Sequence, residues 1–166
     1  MNQMENNKRN KNGKKVSEST TEQIYYVRYT HLNSLKRLYG GQLLSWIDEI
    51  AGATARRHSG MDAITASIDN LHFKSGAYVN DLIVLIGNVT YVGRTSMEIR
   101  VDTYREDYDG KRYPINRAYL VMVAIGPDGK PAEVPALILE NVAQEMEWEN
   151  AIKRKELRKQ RKLEGY

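Results

Sequence analysis

Residues 39–48 read YGGQLLSWID and open an almost wholly apolar helix on two glycines. A helix that is apolar on every side is expected to be buried. Asp48 lies within it, on the same stripe as Leu44. An unpaired buried carboxylate is costly, so Asp48 is either a hydrogen-bonded structural group or a group that serves chemistry. Gly60 is expected to end the helix.

Strand-like runs surround this helix, which we place at residues 40–58. One run precedes it and four follow, at residues 24–30, 63–73, 82–92, 96–104 and 113–125. Two of the later runs are apolar on both faces, so both sides of the sheet should be covered. One helix covers one side only, and we expect a second subunit on the other. The apolar alternation slips within residues 63–73, which predicts a β-bulge.

Both ends of the chain are polar and basic. Among 166 residues, 25 are Lys or Arg and 21 are Asp or Glu, a formal net charge of +4. We predict a disordered basic tail at residues 1–22, one folded domain at residues 23–139 and an exposed charged helix at residues 140–166. Because the tail has no apolar helical period, nucleic acid is not an expected partner.

Several classes of protein are disfavoured by what the sequence lacks. There is no cysteine, which excludes disulfides, thiolate nucleophiles and cysteine-based zinc sites. No apolar run is long enough to span a bilayer, so we expect a soluble, cytoplasmic protein without a membrane partner. His31, His58 and His72 lack metal-ligand spacing, and no Gly-x-Ser-x-Gly motif is present. We therefore expect neither a metal nor a cofactor.

Four motifs follow one another in the chain: Asn33, GGQLLSWID at residues 40–48, TASID at residues 65–69 with Phe73 beyond it, and VGRTSME at residues 92–98. Together they resemble the acyl-CoA thioesterases of the hot-dog fold, of the cytosolic acyl-CoA hydrolase type. The resemblance covers residues 28–139. It departs from the family at Lys36 and Arg37, where a Gly-Thr pair is usual.

The resemblance implies an α+β hot-dog fold, in which an antiparallel sheet wraps around a long central helix. It implies an enzyme that hydrolyses acyl-CoA to a free acid and CoA. It also implies a homodimer with active sites at its interface, assembling into a trimer of dimers, a hexamer. Asn33 and Asp48 match the family's catalytic pair. Asp48 would act as general base or as direct nucleophile, and Asn33 would orient the water or the thioester. Read without the resemblance, Asn33 is a loop residue that hydrogen-bonds its own backbone.

The two glycines add a third catalytic element. Unpaired amides at the helix start, near Gly40 and Gly41, can stabilise an oxyanion, and we assign that role to Gly41. Asp48 lies seven residues beyond Gly41, about 10 Å along the helix. One subunit does not easily bring both to one carbonyl, whereas a two-fold partner can.

Coenzyme A carries phosphates, so basic side chains should flank the site. Arg94, with Thr95 and Ser96, is the first candidate because it lies in a family-like motif, and Gly40 and Phe73 complete the expected substrate-binding set. One alternative is a hot-dog protein that binds or senses acyl-CoA without hydrolysing it, which would leave Asp48 without a task. Another is a hot-dog dehydratase, which requires an Asp-His pair that the matched positions lack.

Overall fold

The computed structural model of the protein describes residues 13–69 and 71–165. In chain order, the helices and strands of these residues are β1 (Lys14–Lys15), α1 (Val16–Ser19), β2 (Thr21–Tyr26), α2 (Gly40–Ser59), β3 (Asp62–Asp69), β4 (Leu82–Val92), β5 (Ser96–Glu106), β6 (Arg112–Ile125), β7 (Leu137–Ile138) and α3 (Val142–Glu164). A single 3₁₀ turn at Tyr29–His31 follows β2. The expected α+β hot-dog architecture is confirmed: an antiparallel sheet, in the order β2-β4-β5-β6-β3, curls around the long helix α2.

Helix α2 forms the core against one face of the sheet. It begins after Tyr39 and ends at Gly60, whose φ of 72° is the left-handed conformation that glycine adopts at helix ends. The predicted limits of the helix are therefore confirmed within one residue. Sheet and helix approach each other closely at Gly87, where an added Cβ would lie 2.3 Å from Oγ1 of Thr54. Only glycine fits this approach without displacing the helix.

Strand β3 lies at one edge of the sheet and contains the predicted bulge. Its register against β6 shifts between Thr65 and Ser67, so Ala66 is the extra residue. Bulges redirect side chains and recur next to functional sites. Ile64 and Ile68, on either side of this shift, are exposed at 57% and 38% of their surface.

The predicted disorder of residues 1–22 is wrong for the part that the structure describes, because residues 13–22 are ordered. Strand β1 pairs in parallel with β7, and Val16 and Ser19 of α1 are buried. The hydroxyl and the backbone N–H of Ser17 both donate to Glu140. These contacts are with residues far along the chain, which local composition cannot indicate. Residues 1–12 lie outside the described residues.

Helix α3 covers part of the sheet face opposite α2, where we expected a second subunit. Asn141 caps its start by accepting a hydrogen bond from the N–H of Gln144. Ala151 of α3 is fully buried, and the ring centroids of Tyr91 on β4 and Trp148 on α3 lie 4.5 Å apart. Neither α3 nor any other helix within residues 13–69 and 71–165 is both long enough and apolar enough to cross a membrane.

Most charged side chains of α3 are exposed, but two of its arginines bind the sheet instead of being fully solvated. Arg154 and Arg158 both bind Glu98 of β5, which is only 1% exposed, and Arg154 also binds Glu147. Arg158 extends further to Asp69 at the end of β3. We call these five residues the α3 ion network. Hydrogen bonds from Arg154 and Arg100 outweigh burial and lower the pKa of Glu147, so its carboxylate stays ionised.

Candidate active site

Asp48 and Thr65 form the central pair of the candidate site. Asp48 projects from α2 toward the edge strand, and the Thr65 hydroxyl donates to its Oδ1 at 2.5 Å. Asp48 is half-buried and Thr65 is exposed, so the carboxylate is reachable from one side. Among the residues that the structure describes, Thr65 alone hydrogen-bonds Asp48, through one oxygen. The second oxygen of the carboxylate therefore remains able to accept a proton.

Thr65 was not among the predicted site residues, although it lies in the TASID motif. The signal was a polar residue at the place where the apolar alternation of residues 63–73 slips. The slip corresponds to the bulge at Ala66, which follows immediately after Thr65. The Sδ of Met122, within 3.3 Å of the same hydroxyl, provides the floor behind the pair.

Asn33 lies in a tight turn before α2 and is exposed. Its Oδ1 accepts the N–H of Leu35 at 2.9 Å and that of Arg37 at 3.2 Å. Lys36 completes the turn with a φ of 56°, a conformation in which glycine is favoured. The side chain thus hydrogen-bonds its own loop, as the reading without a family resemblance predicts. Its Nδ2 group has no acceptor within the described ranges and can donate to a ligand.

The start of α2 is lined by two aromatic rings. A Cβ added to Gly40 would lie 3.5 Å from Cζ of Phe73, so the structure brings these two predicted residues together. A Cβ added to Gly41 would lie 2.5 Å from the ring of Tyr39, which packs on that glycine. The first amides of an α-helix have no partner inside the helix. Those of Gly40 and Gly41 therefore form a donor pair at a positively polarised helix end.

Arg94 and Thr95 lie in the hairpin turn between β4 and β5, and Ser96 begins β5. Their backbone carbonyls are engaged, since Arg94 accepts the N–H of Val134 at 3.0 Å and Thr95 that of Ala124 at 3.0 Å. Ser96 pairs with β6, and β6 pairs with β3 beside Thr65. Two strand spacings, about 10 Å, therefore separate this hairpin from the Asp48–Thr65 pair. The side chain of Arg94 is exposed.

Two further titratable groups, one half-buried beside α2 and one buried on it, have structural partners. Burial raises the pKa of Tyr25 to about 12, helped by the hydrogen bond to Glu49, and its ring stacks on Trp46 at 4.5 Å. His58 is fully buried, with Nδ1 at 3.0 Å from Oγ of Ser19 and Nε2 at 3.1 Å from the carbonyl of Pro135. Burial lowers the pKa of His58, so the imidazole is neutral.

Within one chain, the predicted site residues form separate groups. Asp48 joins Thr65 in the middle of α2, Gly40 and Gly41 join the aromatic rings at its start, and Asn33 is held by its own turn. No hydrogen bond links these groups to one another among residues 13–69 and 71–165. The fold of one chain therefore does not by itself bring the predicted site residues into one site.

Known proteins share both the sequence and the structure of this chain. Residues 35–109 match the thioesterase superfamily. The uncharacterized acyl-CoA thioester hydrolase YkhA of Bacillus subtilis is 36% identical over 131 residues, which cover 78% of this chain and 76% of that protein. The cytosolic acyl coenzyme A thioester hydrolase of Rattus norvegicus is 31% identical over 128 residues, covering 75% of this chain and 34% of that protein.

Solved structures agree with the sequence comparison. The acyl-CoA hydrolase of Staphylococcus aureus, in complex with butyryl coenzyme A, coenzyme A and coenzyme A disulfide, has a TM-score of 0.86 and 33% identity, covering 91% of this chain and 93% of that one. Variants of that protein with an asparagine, an aspartate or a threonine replaced by alanine have also been solved. A hexameric acyl-CoA thioesterase has a TM-score of 0.86 and 39% identity, covering 90% and 96% of the two chains. The chain described here therefore belongs to the thioesterase superfamily and has its hot-dog fold.

Proposed function

We propose that this protein is an acyl-CoA thioesterase that hydrolyses acyl-CoA to a free acid and CoA. The observation that carries the proposal is the Asp48–Thr65 pair, a half-buried carboxylate of α2 that is held through one oxygen by an exposed threonine of β3. The relatives named as acyl-CoA thioester hydrolases and the neighbour solved with butyryl coenzyme A support the substrate class. Residue spacing supports the site. Asn33, Asp48 and Thr65 follow one another at intervals of 15 and 17 positions, as do the three residues replaced in the Staphylococcus aureus variants.

Asp48 acts as general base in this proposal. A water molecule attacks the thioester carbonyl carbon and transfers a proton to the free oxygen of Asp48. The carbon–sulfur bond then breaks, and the CoA sulfur leaves and takes up that proton to become the thiol. Thr65 holds the other oxygen of Asp48, which keeps the carboxylate from rotating away from the water.

Asn33 binds the thioester rather than the water. Its Oδ1 is already occupied by two backbone N–H groups, so the side chain has only its Nδ2 group to offer. An amide N–H can donate to a carbonyl oxygen and to the oxyanion that forms from it. The amides of Gly40 and Gly41 add donors of the same kind, and Phe73 forms the wall beside them.

The complete site contains residues of two chains. Asp48 and Gly41 are separated by seven residues of the same helix, about 10 Å, and Asn33 is not hydrogen-bonded to either. Strand β3 is an edge strand with exposed Ile64 and Ile68, which suits antiparallel pairing with the β3 of a second copy. Such a dimer sets the helix start of one subunit beside Asp48 of the other.

The relatives support proposals about larger assembly and cell location. The hexameric neighbour at 39% identity supports dimers that associate further into a trimer of dimers. A relative named as cytosolic supports a cytoplasmic location. Arg94, with Thr95 and Ser96, is proposed to bind the CoA phosphates, because its side chain is exposed near the edge of the site. We propose no cofactor, since the hydrolysis described above is completed by water and these side chains.

Release of free thiol from a series of acyl-CoA chain lengths tests the function. The wild-type protein should hydrolyse at least one of them, and Asp48→Asn should reduce kcat at least about a hundredfold. Thr65→Val should reduce it less, since the base remains but is no longer fixed. Asp62→Asn is the matched control, because Asp62 lies on β3 and is largely exposed. A wild type that binds acyl-CoA without releasing thiol would instead identify a binding protein.

Subunit exchange tests the shared site. Asn33→Ala and Asp48→Ala proteins, each inactive, are mixed and allowed to exchange. In a heterodimer one site carries both substitutions and the other carries neither, so the mixture should recover roughly a quarter of wild-type activity. No recovery, with exchange verified by mass spectrometry, would show that both residues of a site come from one chain.

A further inference from the structure

We propose that Asn116 is a positioning residue of this site, which sets the place of Phe73 beside the start of α2 and so tunes selection of the acyl chain. The inference rests on the proposed thioesterase function. Asn116 lies on β6 and is 3% exposed, so it does not touch substrate directly. It acts through the segment of residues 71–74, which follows the edge strand β3.

Two hydrogen bonds attach this segment to β6. Nδ2 of Asn116 donates to the carbonyl of His72 at 2.8 Å, and the N–H of Lys74 donates to the carbonyl of Ile115 at 2.9 Å. Phe73 lies between these two attachments, so its backbone is held on both sides. Apart from them, no hydrogen bond joins residues 71–74 to β6 within the described chain.

The ring of Phe73 is what these attachments place. Its Cζ and Cε2 lie 3.5 and 3.7 Å from the position of a Cβ added to Gly40. Phe73 is also 50% exposed, so it contacts the helix and still remains accessible from outside. Its position therefore sets the width of the opening beside the first amides of α2, where the thioester carbonyl is proposed to bind.

Asn116 does not satisfy the requirements of a core residue. Its Oδ1 is buried and has no hydrogen-bond partner in the described part of the chain, and Oγ1 of its cross-strand neighbour Thr103 is in the same condition. A buried unpaired polar atom destabilises a fold, and an apolar side chain of similar shape would serve better. Residues that break such a local rule are expected at functional sites rather than in the core.

Asn116→Leu separates a positioning role from a structural one. Leucine fills the same space without the unpaired oxygen, and the carbonyl of His72, an exposed residue, can bind water instead. We expect a melting temperature equal to or above that of the wild type, roughly tenfold higher KM for the preferred acyl-CoA and a flatter chain-length profile. Thr103→Val is the matched control, because it removes the other unpaired atom and should leave the kinetics unchanged.

A double-mutant cycle tests whether Asn116 acts through Phe73. In a Phe73→Ala background, Asn116→Leu should have no further effect on KM or on the chain-length profile. If Asn116→Leu does not fold, Asn116→Ala replaces it, since alanine removes the Nδ2 donor to His72 without adding volume to the core. Thr103→Ala, on the neighbouring strand, is its control.

The outcomes distinguish this inference from the proposed function. Unchanged kinetics in Asn116→Leu, a loss of stability that accompanies the loss of activity, or additive effects with Phe73→Ala would each overturn it while the thioesterase assignment stands. With Asn116→Ala as the test, kinetics equal to those of Thr103→Ala would overturn it. A wild-type protein that hydrolyses no acyl-CoA would overturn both.

Discussion

Gly87→Ala should destabilise the protein by an amount that the geometry allows us to work out. The new Cβ would lie 2.3 Å from Oγ1 of Thr54 and 3.5 Å from Cγ1 of Ile50. The first distance is more than an ångström shorter than the roughly 3.5 Å of a favourable contact. Thr54 is not free to rotate, because its hydroxyl donates to the carbonyl of Ile50 at 2.8 Å.

Overpacking of this kind costs about 1–3 kcal/mol, and loss of the Thr54 hydrogen bond adds about 1 kcal/mol. Alanine restores about 0.5–1 kcal/mol relative to glycine in a strand. The net loss should be about 1–3.5 kcal/mol. Each kcal/mol should lower the melting temperature of a chain of this size by roughly 2–4 °C.

Urea unfolding followed by circular dichroism measures this loss, at one protein concentration because assembly contributes to stability. Thr54→Ala is the companion variant, since it removes the atom that the new Cβ would meet. The double variant should be more stable than the sum of the two losses predicts, by at least about 1 kcal/mol. Additive losses, or a Gly87→Ala loss below about 0.5 kcal/mol, would refute the close-approach argument.

Three further predictions concern single residues. Glu98→Ala leaves Arg154 and Arg158 without their buried partner, so the free energy of unfolding measured in urea should fall by about 3–5 kcal/mol. A fall of less than about 1 kcal/mol would contradict a structural role for the α3 ion network. Burial lowers the pKa of His58 below its unfolded value of 6.5, so the unfolded chain binds more protons below that pH and stability should fall as the pH drops from 7.5 to 5.5. The His58→Gln variant should lose less unfolding free energy between pH 7.5 and 5.5. Equal pH dependence of the unfolding free energy in variant and wild type would contradict this. Lys36→Gly should raise stability by about 0.5–1 kcal/mol, because a non-glycine residue is strained at a φ of 56°; Lys36→Val should lower it, and thermal unfolding of both variants measures the difference.

Local patterns predicted the elements that position the site. The apolar helix ending at Gly60, the strand limits of β4 and the bulge in β3 all follow from periodicity and from turn residues, which act within a few positions of themselves. The first strand was placed at residues 24–30 but occupies Thr21–Tyr26. Residues 13–22 were missed because they are ordered by pairing with β7 and by Glu140, more than a hundred positions away.

The same limit applies to the charged helix and to the site. The positive charges of α3 resemble a solvated surface in sequence, and only the fold reveals that Arg154 is opposite Glu98, 56 residues earlier. Thr65 was recognised as part of a motif, but its partner Asp48 is on another element. Asn33 was assigned by resemblance, and the structure adds which end of its amide is free to donate. Which residues form a site depends on contacts between elements, and periodicity within one element does not report them.

The α3 ion network gives the C-terminal helix a distinctive response to heat. Charged groups lose favourable hydration as temperature rises, so the penalty for burying Glu98 and its arginines declines on warming. The gain from burying apolar surface reaches a plateau over the same range. The attachment of α3 therefore strengthens relative to the packing of α2 at higher temperatures. Helix α3 resembles a weakly attached segment in sequence, but we expect its attachment to the sheet to weaken less on warming than the packing of α2 does.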